Sequence, residues 1–213
     1  MSGSDASAAR PDGSRKTKGA SQPAQTDAAM QSPGDTSPGC LVKVGGSLLD
    51  LPDLATRLRQ LPQVLGRPCT LLVGGGEAAN VIRRLQQVHS LGEHDAHALA
   101  IDAMDLNARV VRRVLAGQGP EVLPVRRCLA EAAEEGLTLP PTWTVTSDSI
   151  AALLARHRRV PLVLAKSIPP PATISTAVAR DVVDAYFPTA AEGLEVSWLN
   201  LRTLEPVSVQ LPV

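Results

Sequence analysis

The sequence predicts an α/β fold, a three-layer α/β/α sandwich around a mainly parallel central sheet. Three short apolar runs, at 40–44, 69–73 and 161–165, have the length and content of buried strands. Segments with helical spacing of apolar residues alternate with these runs along the chain. Strands that are apolar throughout are typical of a parallel sheet covered by helices on both faces.

Periodicity and turn residues place the other elements. In the longest predicted helix, Asp95 is the expected N-cap, and the expected buried stripe consists of Leu99, Ala103, Leu106 and Val110. The remaining expectations are helices at 53–65 (ending near Gln60 or kinked at Pro62), 77–88, 95–115, 128–135, 147–158 and 178–187, short strands at 121–125, 195–200 and 206–211, and an irregular proline segment at 168–172.

The chain divides into an N-terminal extension, residues 1–38, and one folded domain, residues 39–213. The extension consists almost entirely of small, polar and basic residues, and Met30 is its only larger apolar side chain. Such a segment cannot bury enough apolar surface to offset the entropy of ordering, so it is expected to be disordered. It contains no apolar run of secretory length, and no later run is long enough to span a membrane.

The composition argues against several classes of partner. The chain has only two tryptophans, one tyrosine and one phenylalanine, and its formal net charge is zero. Nucleic-acid binding is therefore not expected, because it relies on basic surfaces and stacked aromatic rings. The three cysteines show neither paired nor metal-ligand spacing. Reduced, buried thiols in a cytoplasmic protein are the expected interpretation.

Two glycine turns each follow a predicted strand directly. Val42-Lys-Val-Gly-Gly-Ser47 places Lys43 two residues before Gly45 and Gly46, and a second turn consists of Gly74, Gly75 and Gly76. Backbone amides in such turns can approach phosphate oxygens closely. A single short glycine motif can also be only a tight strand-to-helix connection. Two such turns at one edge of a parallel sheet favour phosphate binding.

Other polar residues are expected beside these turns. Lys166 ends the third apolar strand, and Lys43 is the only other lysine of the folded part. Thr146, Ser147 and Asp148 lie where a helix begins, and they can act either as helix caps or as phosphate-organising groups. Asp148 is the candidate that orients Lys43.

A group of histidines and acidic residues near position 93 predicts no metal site, because the spacing of its members matches no zinc pattern: His89, Glu93, His94, Asp95 and His97. His97 is instead a candidate for contact with a substrate. Two other residues of the same helix can face either a ligand or solvent: Asp102 and Asn107.

Neither common nucleotide-binding motif is present, since the chain has no G-x-x-x-x-G-K-[ST] and no G-x-G-x-x-G after a strand. The ordered motifs Val42-Lys-Val-Gly-Gly-Ser47, Leu72-Val-Gly-Gly-Gly-Glu77 and Thr146-Ser-Asp-Ser-Ile-Ala151 instead resemble the amino acid kinase superfamily of aspartate, acetylglutamate and uridylate kinases. Within it, three further stretches look most like the methanofuran-biosynthesis-type kinases, which phosphorylate an aminomethylfuran phosphate: 97–104, 143–148 and 184–187.

This resemblance implies an amino acid kinase-like fold, a homo-oligomer, and in-line phosphoryl transfer from ATP with Mg²⁺ to a small phosphate acceptor. Lys43, Asp148 and Lys166 would be catalytic. The ATP phosphates would lie on Gly45, Gly46, Ser47 and Lys166, and the acceptor would be bound by Gly74, Gly75, Gly76, His97, Thr146 and Ser147. If the acceptor is a phosphate, its oxygen is already a nucleophile and no general base is needed. A hydroxyl acceptor would need a general base, and His97 or Asp148 would be the nearest candidate for that role.

The sequence departs from the superfamily after the third strand. Many members carry a Thr-Asp-Val-Asp-Gly-like stretch there, whereas this chain has Lys166-Ser-Ile-Pro-Pro-Pro171. Two alternatives therefore stay open: a uridylate or amino-acid kinase of the same fold, and a non-catalytic phosphate- or nucleotide-binding subunit. If Lys43 is catalytic, Lys43→Ala should lower turnover far more than stability, because a lysine exposed at a strand end stabilises little.

Overall fold

The computed structural model describes residues 39–207. The disordered extension expected over 1–38 lies outside the described residues, as does most of the strand expected at 206–211. The elements are β1 (Cys40–Val44), a 3₁₀ turn (Gly46–Leu48), α1 (Leu54–Leu65), β2 (Cys69–Val73), α2 (Gly76–His89), α3 (Glu93–Leu115), β3 (Glu121–Val122), α4 (Val125–Glu134), α5 (Ser147–Arg158), β4 (Leu162–Lys166), α6 (Ile174–Ala179), α7 (Phe187–Ala190), β5 (Val196–Asn200) and β6 (Glu205–Val207).

The described strands form one sheet in the order β3-β2-β1-β4-β5-β6. The first five strands run parallel, and only β6 is antiparallel, at the edge beside β5. The predicted mainly parallel α/β sheet is thus confirmed. β1 lies centrally between β2 and β4, so the ends of these three strands are neighbours at one edge of the sheet.

Alternation along β1 sends successive side chains to opposite faces of the sheet. Leu41 belongs to a hydrophobic core that includes α5, whereas Val42 and Val44 belong to a second core that includes α1. Each face of the sheet is therefore covered by helices, which gives the three predicted layers. By the same alternation, Lys43 lies on the Leu41 side, toward α5.

The predicted buried stripe of α3 is wrong except at Ala103. Leu99, Leu106 and Val110 are 40%, 53% and 49% exposed, and the buried face consists mainly of smaller residues: Ala96, Ala100, Ala103, Met104, Ala108, Val111 and Leu115. Alanine at these positions lets the helix lie close to its neighbours, so the larger residues remain outside. The N-cap is Gly92 rather than Asp95.

Three other expectations differ from the structure. α1 does not end near Gln60 but continues through Pro62 to Leu65, because buried Leu58 and Leu61 pack on the core and outweigh the one lost hydrogen bond. The strand expected at 121–125 contains only two residues and gives way to α4 at Val125. The single helix expected at 178–187 is instead two short helices separated by irregular chain.

Among residues 39–207, no helix is both long enough and apolar enough to cross a membrane.

Candidate active site

The residues predicted to bind phosphate meet at one edge of the sheet. The first glycine turn follows β1, the second follows β2, and Lys166 is the last residue of β4. These strands are neighbours, and the carboxyl ends of neighbouring parallel strands face the same way. The structure therefore brings together the three segments that the sequence placed at a common edge.

Two lysines flank one carboxylate at this edge. Lys43 Nζ lies 2.8 Å from Asp148 Oδ1, and Lys166 Nζ lies 2.8 Å from the same oxygen. Lys166 Nζ also donates to Asp148 Oδ2 over 2.9 Å and to the carbonyl of Val182 over 2.6 Å. All three side chains are buried. We call Lys43, Asp148 and Lys166 the triad.

The fold explains how the triad forms. Lys43 and Lys166 point to the face of the sheet covered by α5, because each lies two residues after a leucine of that core, Leu41 or Leu164. α5 begins at Ser147, so Asp148 lies in its first turn, above the strand ends. Lys43 is only 3% exposed. The sequence-based premise that this lysine is an exposed strand-end residue is therefore wrong.

Burial and charge shift the ionisation of the triad. Burial raises the pKa of Asp148, but the charges of Lys166 and Lys43 outweigh it, so the pKa lies below its usual value. Burial lowers the pKa of Lys166 to about 8; the charge of Lys43 acts in the same direction and that of Asp148 against it. The charge of Lys166 therefore changes close to neutral pH.

This shift predicts opposite pH dependences for activity and stability. If transfer needs protonated Lys166, kcat/KM falls as the pH rises through about 8. Between about pH 8 and pH 10.5, Lys166 is deprotonated in the folded chain but protonated in the unfolded chain. The contribution of Lys166 to the free energy of unfolding therefore rises with pH over this range. Rate profiles from about pH 6 to 10 measure the fall in kcat/KM, and urea titrations over the same range measure the rise in the free energy of unfolding. In Lys166→Met the stability increment should disappear; an unchanged increment would contradict the assignment.

The two glycine turns touch each other through their backbones. A Cβ atom placed on Gly46 would lie 2.2 Å from Cα of Gly76, and one placed on Gly74 would lie 3.0 Å from Ser147 Oγ. Gly76 also has a positive φ of 51°. Glycine is therefore required here for close approach and not only for turn geometry.

Not every amide of these turns is available to a ligand. The Gly45 amide donates to the Ala165 carbonyl, and the Gly74 amide donates to the Val44 carbonyl, both over 3.0 Å. These bonds extend the sheet ladder into the turns. The amides of Gly46 and Gly76 instead begin helical turns, where the first amides have no intrahelical acceptor. Anion binding by the backbone is therefore expected at the helix starts.

Asn107 supports the second turn, a role that the sequence did not reveal. Its side-chain amide donates to the carbonyls of Gly74 and Gly75, each over 2.8 Å. The asparagine faces backbone rather than ligand, whereas Asp102 forms an ion pair with Arg126. The sequence carried no signal for this role, because it placed the buried face of this helix elsewhere.

At the start of α5 lies an open cavity of about 560 Å³ whose wall includes Thr146, Asp148 and Trp143. The guanidinium of Arg83 lies 4.5 Å from the centre of the Trp143 ring, and the indole donates to Gln86 Oε1 over 2.6 Å. The cavity thus combines an aromatic wall and a cation with the carboxylate of the triad and three further carboxylates. Its size suits a small molecule.

Three residues expected to contact a substrate, Thr146, Ser147 and His97, differ in what they can do, and of these Thr146 lines this cavity. Ser147 and His97 line a smaller adjoining cavity with Trp143. His97 is buried, its Nε2 lies 3.2 Å from the Val145 carbonyl oxygen, and burial lowers the pKa of its imidazole. The histidine can therefore shape the pocket more readily than it can exchange protons with solvent.

On the other side of β1, the proline segment approaches the first turn. The hydroxyls of Ser47 and Ser167 are 3.5 Å apart, and the carbonyl of Ile168 accepts a hydrogen bond of 3.0 Å from Trp198 Nε1. The segment is irregular, as predicted. Trp198 is almost fully buried, so the start of the segment is fixed against the core.

Among residues 39–207, no group of three or more histidine, cysteine, aspartate or glutamate side chains is arranged to hold a metal ion. Both oxygens of Asp148 already contact lysines.

Comparison with known proteins identifies kinases. No family model matches the chain. It is 27% identical over 128 residues to the [5-(aminomethyl)furan-3-yl]methyl phosphate kinase of Methanocaldococcus jannaschii, a match that covers 54% of this chain and 59% of that protein. The chain thus spans about three fifths of the length of this curated relative.

Two solved structures share the fold. The uridylate kinase of Archaeoglobus fulgidus superposes with a TM-score of 0.54 at 19% identity, over 76% of this chain and 88% of that one. The UMP kinase of Ureaplasma parvum superposes with a TM-score of 0.51 at 14% identity, over 80% of this chain and 92% of that one. The chain therefore has an amino acid kinase-like α/β fold, and it resembles kinases of that kind both in sequence and in structure.

Proposed function

We propose that this protein is an ATP-dependent kinase that transfers the γ-phosphoryl group to a small phosphate acceptor. The observation that carries the proposal is the triad, two lysines on one carboxylate, buried where two glycine turns meet. Phosphoryl transfer is catalysed mainly by positioning and by stabilising charge on the phosphoryl oxygens. The triad carries a net positive charge in a buried setting, which suits that task.

Each part of the site has a proposed role. The start of the 3₁₀ turn, with Gly46 and Ser47, binds the ATP phosphates, and Gly45 holds the turn against β4. The start of α2, with Gly75 and Gly76, binds the acceptor phosphate. Since the two turns are in contact, donor and acceptor would be brought close together around Lys43. Asp148 orients both lysines, and Lys166 neutralises charge from the β4 side.

The chemistry of the site favours an acceptor that is already a phosphate. A hydroxyl acceptor needs a general base, but Asp148 is held by two lysines, and His97 is buried with its Nε2 near a carbonyl oxygen. A phosphate oxygen is itself a nucleophile. The curated relative is named for a furan methyl phosphate, so we propose an aminomethylfuran phosphate, phosphorylated to its diphosphate in methanofuran-type one-carbon cofactor biosynthesis.

Mg²⁺ fits this site as a companion of the nucleotide. In phosphoryl transfer Mg²⁺ neutralises charge on the donor phosphates, and it is commonly held by those phosphates and water with few protein ligands. The side chains described here form no carboxylate cage, which agrees with that mode. The three free, buried cysteines agree with a cytoplasmic location.

Product analysis with labelled ATP tests the proposal. Purified protein is incubated with Mg²⁺, γ-labelled ATP and one acceptor at a time: an aminomethylfuran phosphate, UMP, or an amino acid such as aspartate or N-acetylglutamate. The expected result is label in the furan diphosphate. Transfer to UMP or to an amino-acid carboxylate would replace the proposed acceptor. Binding of Mg-ATP without transfer to any acceptor would favour the alternative, a non-catalytic phosphate-binding subunit, to which the altered segment after Lys166 points.

We also propose that the protein forms a homodimer through α3. Large apolar side chains are exposed along one side of this helix: Leu99, Leu106, Val110 and Val114. The helix has acids in its first turn and arginines in its last, so a second copy packed antiparallel would pair unlike charges. Leu106→Glu should convert the dimer to a monomer in light scattering. A wild-type monomer at micromolar concentration would contradict the proposal.

A further inference from the structure

The segment between α6 and α7, residues 180–186, contacts both the triad and the start of α5. The carboxylate of Asp184 accepts hydrogen bonds from the start of α5. Its Oδ2 accepts from the amides of Thr146 and Ser149, each over 3.0 Å, and from the Thr146 hydroxyl over 2.8 Å. Its Oδ1 accepts from the Ser149 hydroxyl. Two amides and two hydroxyls therefore converge on one half-buried carboxylate.

This carboxylate takes the place of a local helix cap. The N-cap residue of α5 is Thr146, whose own side chain caps no amide of the helix. Asp184, 35 residues after Ser149, accepts from the orphan amides instead and places a negative charge at the positive end of the helix dipole. The start of α5 is thus fixed by a distant segment of chain.

The residue held between these contacts is Asp148. Thr146 and Ser149 lie on either side of it, so fixing their amides fixes the backbone from which the Asp148 carboxylate reaches the lysines. Two residues before Asp184, the Val182 carbonyl accepts from Lys166 Nζ. The segment therefore contacts both the carboxylate's helix and one of its lysines.

We propose that Asp184 is a positioning residue for the phosphoryl transfer, holding the first turn of α5 so that Asp148 lies between Lys43 and Lys166. This inference rests on the proposed kinase function for its kinetic readout. Asp184 needs no contact with either substrate in this role. Its effect reaches the reaction through Asp148, whose displacement by a fraction of an ångström would misplace both ammonium groups.

Asp184→Asn tests the inference, with Glu192→Gln as the matched control. The asparagine side chain would keep the volume at position 184 but lose the charge and part of the accepting capacity. Glu192 lies eight residues away, is exposed, makes none of these bonds and lines neither cavity. We expect Asp184→Asn to lower kcat by about 10- to 100-fold with little change in the KM for Mg-ATP. The control should behave as wild type.

The alkaline limb of the pH–rate profile distinguishes a positioning role of Asp184 from a merely structural one, because only a positioning role would shift it. The charged groups that face Lys166 are Asp148 from α5 and Lys43 from β1, and the uncharged ones are the Val182 carbonyl and the ring of Trp198 from β5. If Asp148 withdraws, Lys166 loses the charge that raises its pKa, so the limb moves to lower pH. Asp184→Asn with wild-type kcat and an unmoved limb would overturn the inference.

Ser149→Ala keeps the inference testable if Asp184 variants fail to fold. It removes one of the four donors and leaves Asp184 in place, so a smaller loss of kcat with the same direction of pH shift is expected. Unchanged kcat and limb in folded Ser149→Ala would overturn the inference. A wild type that transfers no phosphoryl group would count against the proposed function instead. The inference would then be tested by NMR titration of Lys166 Nζ, which must shift between wild type and variant.

Discussion

Lys43→Met should lower kcat/KM by at least about 100-fold while changing the free energy of unfolding by no more than about 1 kcal/mol. The methionine keeps most of the buried stem, and Asp148 keeps Lys166 as its partner after Lys43 is removed. The reaction loses the positive charge of Lys43, which precedes the first glycine turn by two residues. Steady-state kinetics and urea unfolding on the same preparation measure the two quantities.

Asp148→Asn is the matched contrast. It leaves two buried ammonium groups close together without their shared counter-charge, so it should lower both activity and stability, the latter by about 3–5 kcal/mol. If Lys43→Met destabilises the protein as much as Asp148→Asn does, Lys43 is a structural lysine. The lysine variant would then carry no information about transfer.

Gly46→Ala should abolish transfer. Its Cβ would lie 2.2 Å from Cα and 2.4 Å from the amide nitrogen of Gly76, and backbone atoms cannot move aside as a flexible side chain can. The two turns must separate, which disrupts the proposed donor and acceptor sites together. The expected result is kcat/KM below detection, with loss of nucleotide binding in calorimetry.

Gly92→Ala is the control for this substitution. Gly92 has an ordinary φ of −59°, and an added Cβ there would meet only Asp95 Oδ2, at 3.8 Å. Activity should remain near wild type. Equal activity of Gly46→Ala and wild type would show that the contact between the turns is not needed for the reaction.

The core of the site was predictable because its signals are local. Lys43 and the two glycine turns follow apolar strands directly, and parallel strands present their carboxyl ends at one edge. The helix start at Ser147 was also visible, so the meeting of Asp148 with Lys43 could be anticipated. A resemblance of three short motifs then indicated an amino acid kinase-like fold.

The rest depends on packing between distant segments, which no local pattern reveals. Gly46 requires glycine because of Gly76, 30 residues later, and Asp184 acts on a helix that begins 37 residues before it. The orientation of α3 was misjudged because size alone suggested that Leu106 is buried. Alanines on the opposite side allow close helix packing, and the neighbouring elements determine which side of the helix is buried.

A crystal structure with Mg²⁺ and a non-hydrolysable ATP analogue tests the central claim most directly. The proposed site predicts the terminal phosphates against the amides of Gly46 and Ser47, with Lys43 Nζ within hydrogen-bond distance of the γ-phosphate. The second turn, at Gly75 and Gly76, should remain open for the acceptor. A nucleotide bound away from both turns, or no binding at millimolar concentration, would contradict the proposal that this edge of the sheet transfers phosphoryl groups.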